Sequence, residues 1–245
     1  MVKITFVAVI LPIGENAEKE SKILEKIIRE YFVKKYSAWD DVFILYEGSA
    51  TERFRELFGS PDKYYIRPPY SSVIFDFLLV YKGEKIAREL RFNKEIREDL
   101  ESKIRGELKL DAQTKISQIY LFDARIEEGP SLAEPYFSIE HGKIVEMTHY
   151  GYELASLAWI SDLDRESKED FIQYIFGIHE PGHIHIGRAS HFVDTPYGKH
   201  CQDENCIMSK PERIMRDSVE KVRRIKLQNP ELFCKKCLEK ISEFL

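Results

Sequence analysis

His179-Glu180-Pro181-Gly182-His183, followed by His200-Cys201-Gln202-Asp203-Glu204-Asn205-Cys206-Ile207-Met208, is the stretch from which this chain is best read. Residues four apart on a helix share one face, so His179 and His183 can reach a single metal ion at about 2.0–2.1 Å. Glu180 sits one residue on, turned about 100° around the helix, which leaves its carboxylate beside the ligands and able to take a proton from water. His-Glu-x-x-His is the pattern zinc peptidases use for this purpose. A third histidine, two cysteines and a methionine then follow within one short run.

The other two cysteines arrive as Cys234-Lys235-Lys236-Cys237, so the chain's 4 cysteines fall into one CxxxxC and one CxxC pair. That spacing favours a metal site over two disulfides. A redox role for Cys234 and Cys237 is disfavoured, because their CxxC opens no thioredoxin-like βαβ pattern.

Composition sets the broad class. The chain has 245 residues, 43% hydrophobic and 32% charged, enough to bury a core without staples. A net charge of −5 argues against a protein that tracks nucleic-acid phosphates. The opening apolar run, Ile4 to Ile13, lacks a basic start and a small-residue cleavage site, and reads as a buried strand. No apolar run approaches a membrane span. A cytoplasmic protein with neither a nucleic-acid nor a membrane partner is expected.

Along the chain, Val2 to Leu11 predicts a strand, and Asn16 can cap a helix whose apolar stripe is Ile23, Leu24, Ile27, Ile28, Tyr31 and Phe32. Strands are expected at Val42 to Tyr46, Tyr70 to Tyr81 and Ile119 to Ile126, with a helix at Thr51 to Phe58. The charge-dense run 84–117 reads as a solvated helix face. Tyr136 to Met147 suggests a hairpin turning at His141-Gly142, and 151–160 is a strand or a short helix. Asp162, Asp164 and Ser167 are N-cap candidates for the helix carrying His179, and Gly187 is its expected stop. Helices follow around Val219 to Ile225 and from Leu238 onward. His141, His149 and His185 carry no motif and read as surface or core residues.

From His179 to Cys237 the chain resembles the archaemetzincins, whose long motif runs HExxHxxGxxHCxxxxCxM with a later CxxC. Here His179-Glu180-x-x-His183, His200-Cys201-x4-Cys206-x-Met208 and Cys234-x-x-Cys237 keep the residue types in order. The resemblance implies an α/β (α+β) metzincin-like fold: a mixed twisted sheet with packed helices, one of them bearing the active site. It implies one catalytic domain over 1–245, with an N-terminal subdomain 1–187 and a C-terminal subdomain 188–245 held by a four-cysteine zinc. Two zinc ions per chain follow. A catalytic zinc would sit on His179, His183 and His200 with Glu180 as general base. A structural zinc would sit on Cys201, Cys206, Cys234 and Cys237, and Met208 would lie beneath the catalytic ion. The implied function is that of a monomeric zinc metallopeptidase acting on peptide or protein substrates. The alternative is a degenerate relative, in which a zinc-stabilised module only binds a partner.

The chain departs from the motif in three places. Residues 184–199 insert before His200, so His191 inside the insertion is an alternative third ligand. His200 is preferred because it directly precedes the first cysteine. The interval from Met208 to Cys234 is also longer than the family's. Pro181 and Gly182 interrupt the zinc helix: an interior proline costs roughly 3 kcal/mol and a glycine about 1 kcal/mol. A kink or an early end is expected there, and replacing the pair should stabilise the helix.

Overall fold

The computed structural model describes residues 5–13, 15–58, 63–66, 77–81, 84–88, 94–124, 142–149, 152–159, 164–186, 189–195, 198–210, 212 and 215–242. The first strand, β1 (Phe6–Ile13), is apolar on both faces, and Val7, Ala8, Val9, Ile10 and Leu11 are all buried. A strand buried on both sides belongs in the middle of a covered sheet. It is flanked by two parallel neighbours, β2 (Asp41–Ile44) and β6 (Lys115–Ala124). β7 (Gly142–His149) and β8 (Tyr152–Trp159) add antiparallel strands beyond β6, giving a mixed sheet in the order β2-β1-β6-β7-β8. The choice between strand and helix at 151–160 thus falls to strand. Gly142 opens β7 opposite Ala124 and Trp159, and His141 and the first arm of the expected hairpin lie outside the described residues.

Between β2 and β6 the chain makes α2 (Ser49–Phe58), a small antiparallel sheet and α3 (Lys94–Leu108). The small sheet comprises β3 (Lys63–Ile66), β4 (Phe77–Tyr81) and β5 (Glu84–Arg88). The strand expected over 70–81 is present from Phe77, and 70–76 lie outside the described residues. Within the charge-dense run, α3 buries Leu100 and Ile104 and turns charges outward, pairing Arg53 with Asp99 across to α2 at 2.9 Å.

α1 (Glu15–Ile28) continues as a π-helical segment, Arg29–Lys35. Its buried stripe, Leu24, Ile27, Ile28 and Phe32, follows the spacing read from sequence and packs against the helix that bears His179. That second helix begins at α4 (Arg165–Asp170), where the Asp164 carboxylate accepts the Ser167 N–H at 2.8 Å. It runs on as a π-helical segment, Phe171–His179, and then as α5 (Glu180–Ile186). A Cβ on Gly177 would overlap Ile27 Cγ2, so glycine lets this helix lie close on α1.

The helix does not end at Pro181, which corrects the expectation from sequence. The Glu180 N–H bonds to the Ile175 carbonyl, five residues back, so the turn entering the proline is π rather than α. A π turn is wider, which relieves the crowding between the proline ring and the Gly177 carbonyl. The helix continues to Ile186, the last described residue before 189, and Gly187 lies outside the described residues.

The hairpin β9 (Phe192–Thr195) and β10 (Gly198–Cys201) follows, then α6 (Met215–Gln228) and α7 (Lys235–Ser242). Among the described residues one cluster of buried side chains runs from Ala8 to Ile241, spanning both sides of position 187. No helix among them is long and apolar enough to cross a membrane.

Candidate metal centres

Two clusters of metal-binding side chains form among the described residues. The first joins His179, His183 and His200. The helix places the first two on one face, with Nε2 atoms 3.1 Å apart. Strand β10 brings the third across, its ring centroid 5.3 Å from His179 and 5.0 Å from His183. A tetrahedral zinc with bonds of about 2.0–2.1 Å separates its ligand nitrogens by about 3.3 Å, so this donor set fits one ion.

The rings are also fixed from behind. The carbonyl of Ile207 accepts a hydrogen bond from His179 Nδ1 at 2.6 Å, and His200 Nδ1 is 3.1 Å from the Thr195 hydroxyl. With each Nδ1 engaged, Nε2 is the nitrogen left for a metal. Burial pushes the His179 imidazolium down to about 3, with the neighbouring His200 adding to the effect. Burial and then the adjacent His179 and His200 hold His183 well below its usual value. Neutral imidazole is the form that ligates.

Met208 lies fully buried under this helix. A Cβ on Gly182 would overlap the Met208 sulfur and come within 3.4 Å of Phe233. Gly182 is therefore a packing requirement and not a defect, and its replacement should destabilise the site, contrary to the reading from helix propensity. Glu180 is buried on the same turn as His179 but outside the histidine triad.

The second cluster brings His191, Cys201, Cys234 and Cys237 within 4.8 Å of one another, so that His191 stands where the four-cysteine set expected from sequence has Cys206; none of the cysteines is in a disulfide. Cys201 and Cys234 sulfurs are 3.7 Å apart, as are those of Cys206 and Cys237. Zinc–sulfur bonds of about 2.3 Å in a tetrahedron put sulfurs about 3.8 Å apart. Backbone N–H groups point at two of the sulfurs, Asp203 at Cys201 (3.4 Å) and Cys234 at Cys206 (3.2 Å). Hydrogen bonds from Cys206 and Cys237 push the Cys201 thiol down. The same bonds to Cys201 push the Cys206 and Cys237 thiols up. A divalent cation would be held by these sulfurs as thiolates.

His191 stands with the sulfurs and not with the histidines, its Nε2 3.2 Å from Cys237 Sγ. The geometry thus separates the two candidates for the third nitrogen donor, with His200 in the triad. His185 is buried between Phe32 (stacked, 5.3 Å) and Trp39 (4.7 Å), and burial pushes it down to about 3. It is a core residue.

The loop 201–209 joins the clusters. Cys201 N–H bonds to the Met208 carbonyl at 2.8 Å, and Ile207 N–H bonds to the Leu232 carbonyl at 2.7 Å. Leu232 holds a left-handed backbone, φ 65°, a costly conformation for a branched side chain, kept by its place in the turn into Cys234. Buried Lys221 ties the loop to α6 through Glu204 (2.6 Å) and the Lys210 carbonyl (2.8 Å).

Comparison with family models, curated proteins and solved structures finds no match. The functional argument therefore rests on this geometry and on the motif. Sequence reasoning did not single out Thr195 or the Ile207 carbonyl. The alternation of the β9–β10 hairpin could have indicated Thr195, since Thr195 and His200 fall on one face. A backbone carbonyl leaves no signal in sequence.

Proposed function

We propose that the protein is a zinc-dependent metallopeptidase of the archaemetzincin type, with a metzincin-like active-site helix. The observation that carries this reading is the convergence of His179, His183 and His200, with Glu180 on the same helical turn and the Met208 sulfur against Gly182. His179, His183 and His200 would hold the catalytic zinc, and Cys201, Cys206, Cys234 and Cys237 the structural one.

Three protein ligands leave a position open for water or substrate, whereas four thiolates close the shell. A zinc ion at the histidines supplies Lewis acidity toward a carbonyl oxygen and toward water. The Ile207 carbonyl keeps His179 in the tautomer protonated at Nδ1, and the Thr195 hydroxyl holds the orientation of the His200 ring through Nδ1. Glu180 accepts the proton of the attacking water and returns it to the departing amine nitrogen.

Hydrolysis of an unstructured protein substrate by the zinc-loaded chain, compared with Glu180→Gln, tests this. Activity should fall by about 10²–10⁴-fold while both zincs remain. Equal activity in the variant, or loss of a zinc with the carboxylate, would remove Glu180 from the role of base.

A further inference from the structure

The residues between His183 and His200 touch both clusters. β9 pairs with β10 so that Val193 faces His200 and Thr195 faces Gly198. Thr195 is therefore the diagonal neighbour of His200 on one face of the hairpin, the position from which its hydroxyl reaches Nδ1 at 3.1 Å. Just before β9, His191 reaches Cys237 Sγ at 3.2 Å, and its ring lies 5.0 Å from that of Phe192, which is buried at the start of the strand.

The four sulfurs are served unequally. Cys201 and Cys206 each receive a backbone N–H, from Asp203 and Cys234. Cys237 is met by the His191 ring nitrogen. A metal with four thiolates carries excess negative charge in a buried place, and N–H donors to sulfur offset it. The donors within 4.8 Å of one another are His191, Cys201, Cys234 and Cys237, while the Cys206 sulfur lies 3.7 Å from Cys237, so His191 and Cys206 compete for the fourth place and a fourth thiolate would leave His191 as a hydrogen-bond donor.

We propose that this hairpin segment positions both metal centres at once: Thr195 orients His200 through Nδ1, and His191 donates a hydrogen bond to the Cys237 thiolate without becoming a ligand. The clamp rests on the metal-binding reading above and not on peptide hydrolysis. One short stretch of chain then fixes a nitrogen donor of one centre and tempers a sulfur donor of the other.

Cobalt(II) titrated into the metal-free full-length chain reads both centres separately, since sulfur-to-cobalt charge-transfer bands mark only the cysteines. Thr195→Val should weaken cobalt binding at the histidines about 10–100-fold, and Thr195→Ser should restore it. His191→Ala should keep a four-sulfur spectrum with shifted charge-transfer bands and release its metal to a chelator faster by a similar factor. His191→Gln, which keeps an N–H donor, should recover much of that loss. Wild-type spectra and affinities in both Thr195→Val and His191→Ala would overturn the proposal. So would a His191→Ala spectrum that has lost a ligand, because His191 would then be in the coordination shell. A wild-type chain that takes cobalt only at the cysteines would sink the Thr195 half together with the peptidase reading. A chain that shows the expected shifts yet hydrolyses nothing would support the clamp and sink the peptidase reading alone.

Discussion

The two clusters are joined by the loop 201–209 but are built differently. The histidine centre takes two donors from one helical turn and borrows the third from a strand. The cysteine centre takes its donors from two short stretches, 201–206 and 234–237, in which Cys201 ends β10 and Cys237 lies in the first turn of α7, so no single regular element holds a pair. The supports run one way. The Ile207 carbonyl behind His179 and the Met208 sulfur under Gly182 both belong to the loop that the cysteines close. His200 is bonded directly to Cys201. The sulfur centre therefore builds the floor of the nitrogen centre, while nothing comparable runs in return among the described residues. A structural site of this kind is a local folding device, and the open site is its beneficiary.

That asymmetry can be broken. Cys206→Ser should lose the sulfur-bound metal, whose apparent binding energy in small zinc modules is about 10–16 kcal/mol, and should weaken metal binding at the histidines as well. His179→Ala should lose only the metal at the histidines. Metal counts and thermal melts of the two variants check this, and a Cys206→Ser protein with its histidine metal at wild-type affinity would show the centres to be independent.

A smaller effect sharpens the same point from the helix side. Gly182→Ala should destabilise by roughly 1–3 kcal/mol, because the new methyl meets the Met208 sulfur. Helix propensity alone predicts a gain of about 1 kcal/mol, so the sign of the change decides between the two. In a Met208→Ala background the penalty should largely vanish, which a double-mutant cycle in urea would measure.

A third effect, seen only on acidification, lies behind the helix. Neutral His185 is favoured in the folded state, its pKa pushed down to about 3 by burial between Phe32 and Trp39. The unfolded chain binds a proton near pH 6.5, so stability is full above that value and drains away as pH falls toward about 3. His185→Phe keeps an aromatic ring and removes the titration. Its stability relative to the wild type should rise with acidification by at most about 1.4 kcal/mol per pH unit, and parallel pH curves for the two proteins would exclude His185 as a source of acid sensitivity.

Much of this was legible without coordinates. The stripe Leu24, Ile27, Ile28 and Phe32 announced α1, the run Val2 to Leu11 announced a buried strand, and Asp164, one of three N-cap candidates, stands at the start of the helix that bears His179. Pro181-Gly182 misled, because propensity describes an isolated α-helix. The π turn before the proline and the methionine beneath the glycine exist only once the helix is packed.

The sequence by itself determined the donor types and their short-range pairing. His179 with His183, and Cys234 near Cys237, follow from backbone geometry within a few residues, where spacing along the chain sets separation in space. Only the tertiary structure decided how distant donors sort. His200 and His191 lie near each other in sequence and both stand at the open end of the β9–β10 hairpin, yet one joins the nitrogens and the other reaches Cys237 on α7. Strand register and helix docking arise from burying a whole core, and no local pattern of residues contains that information.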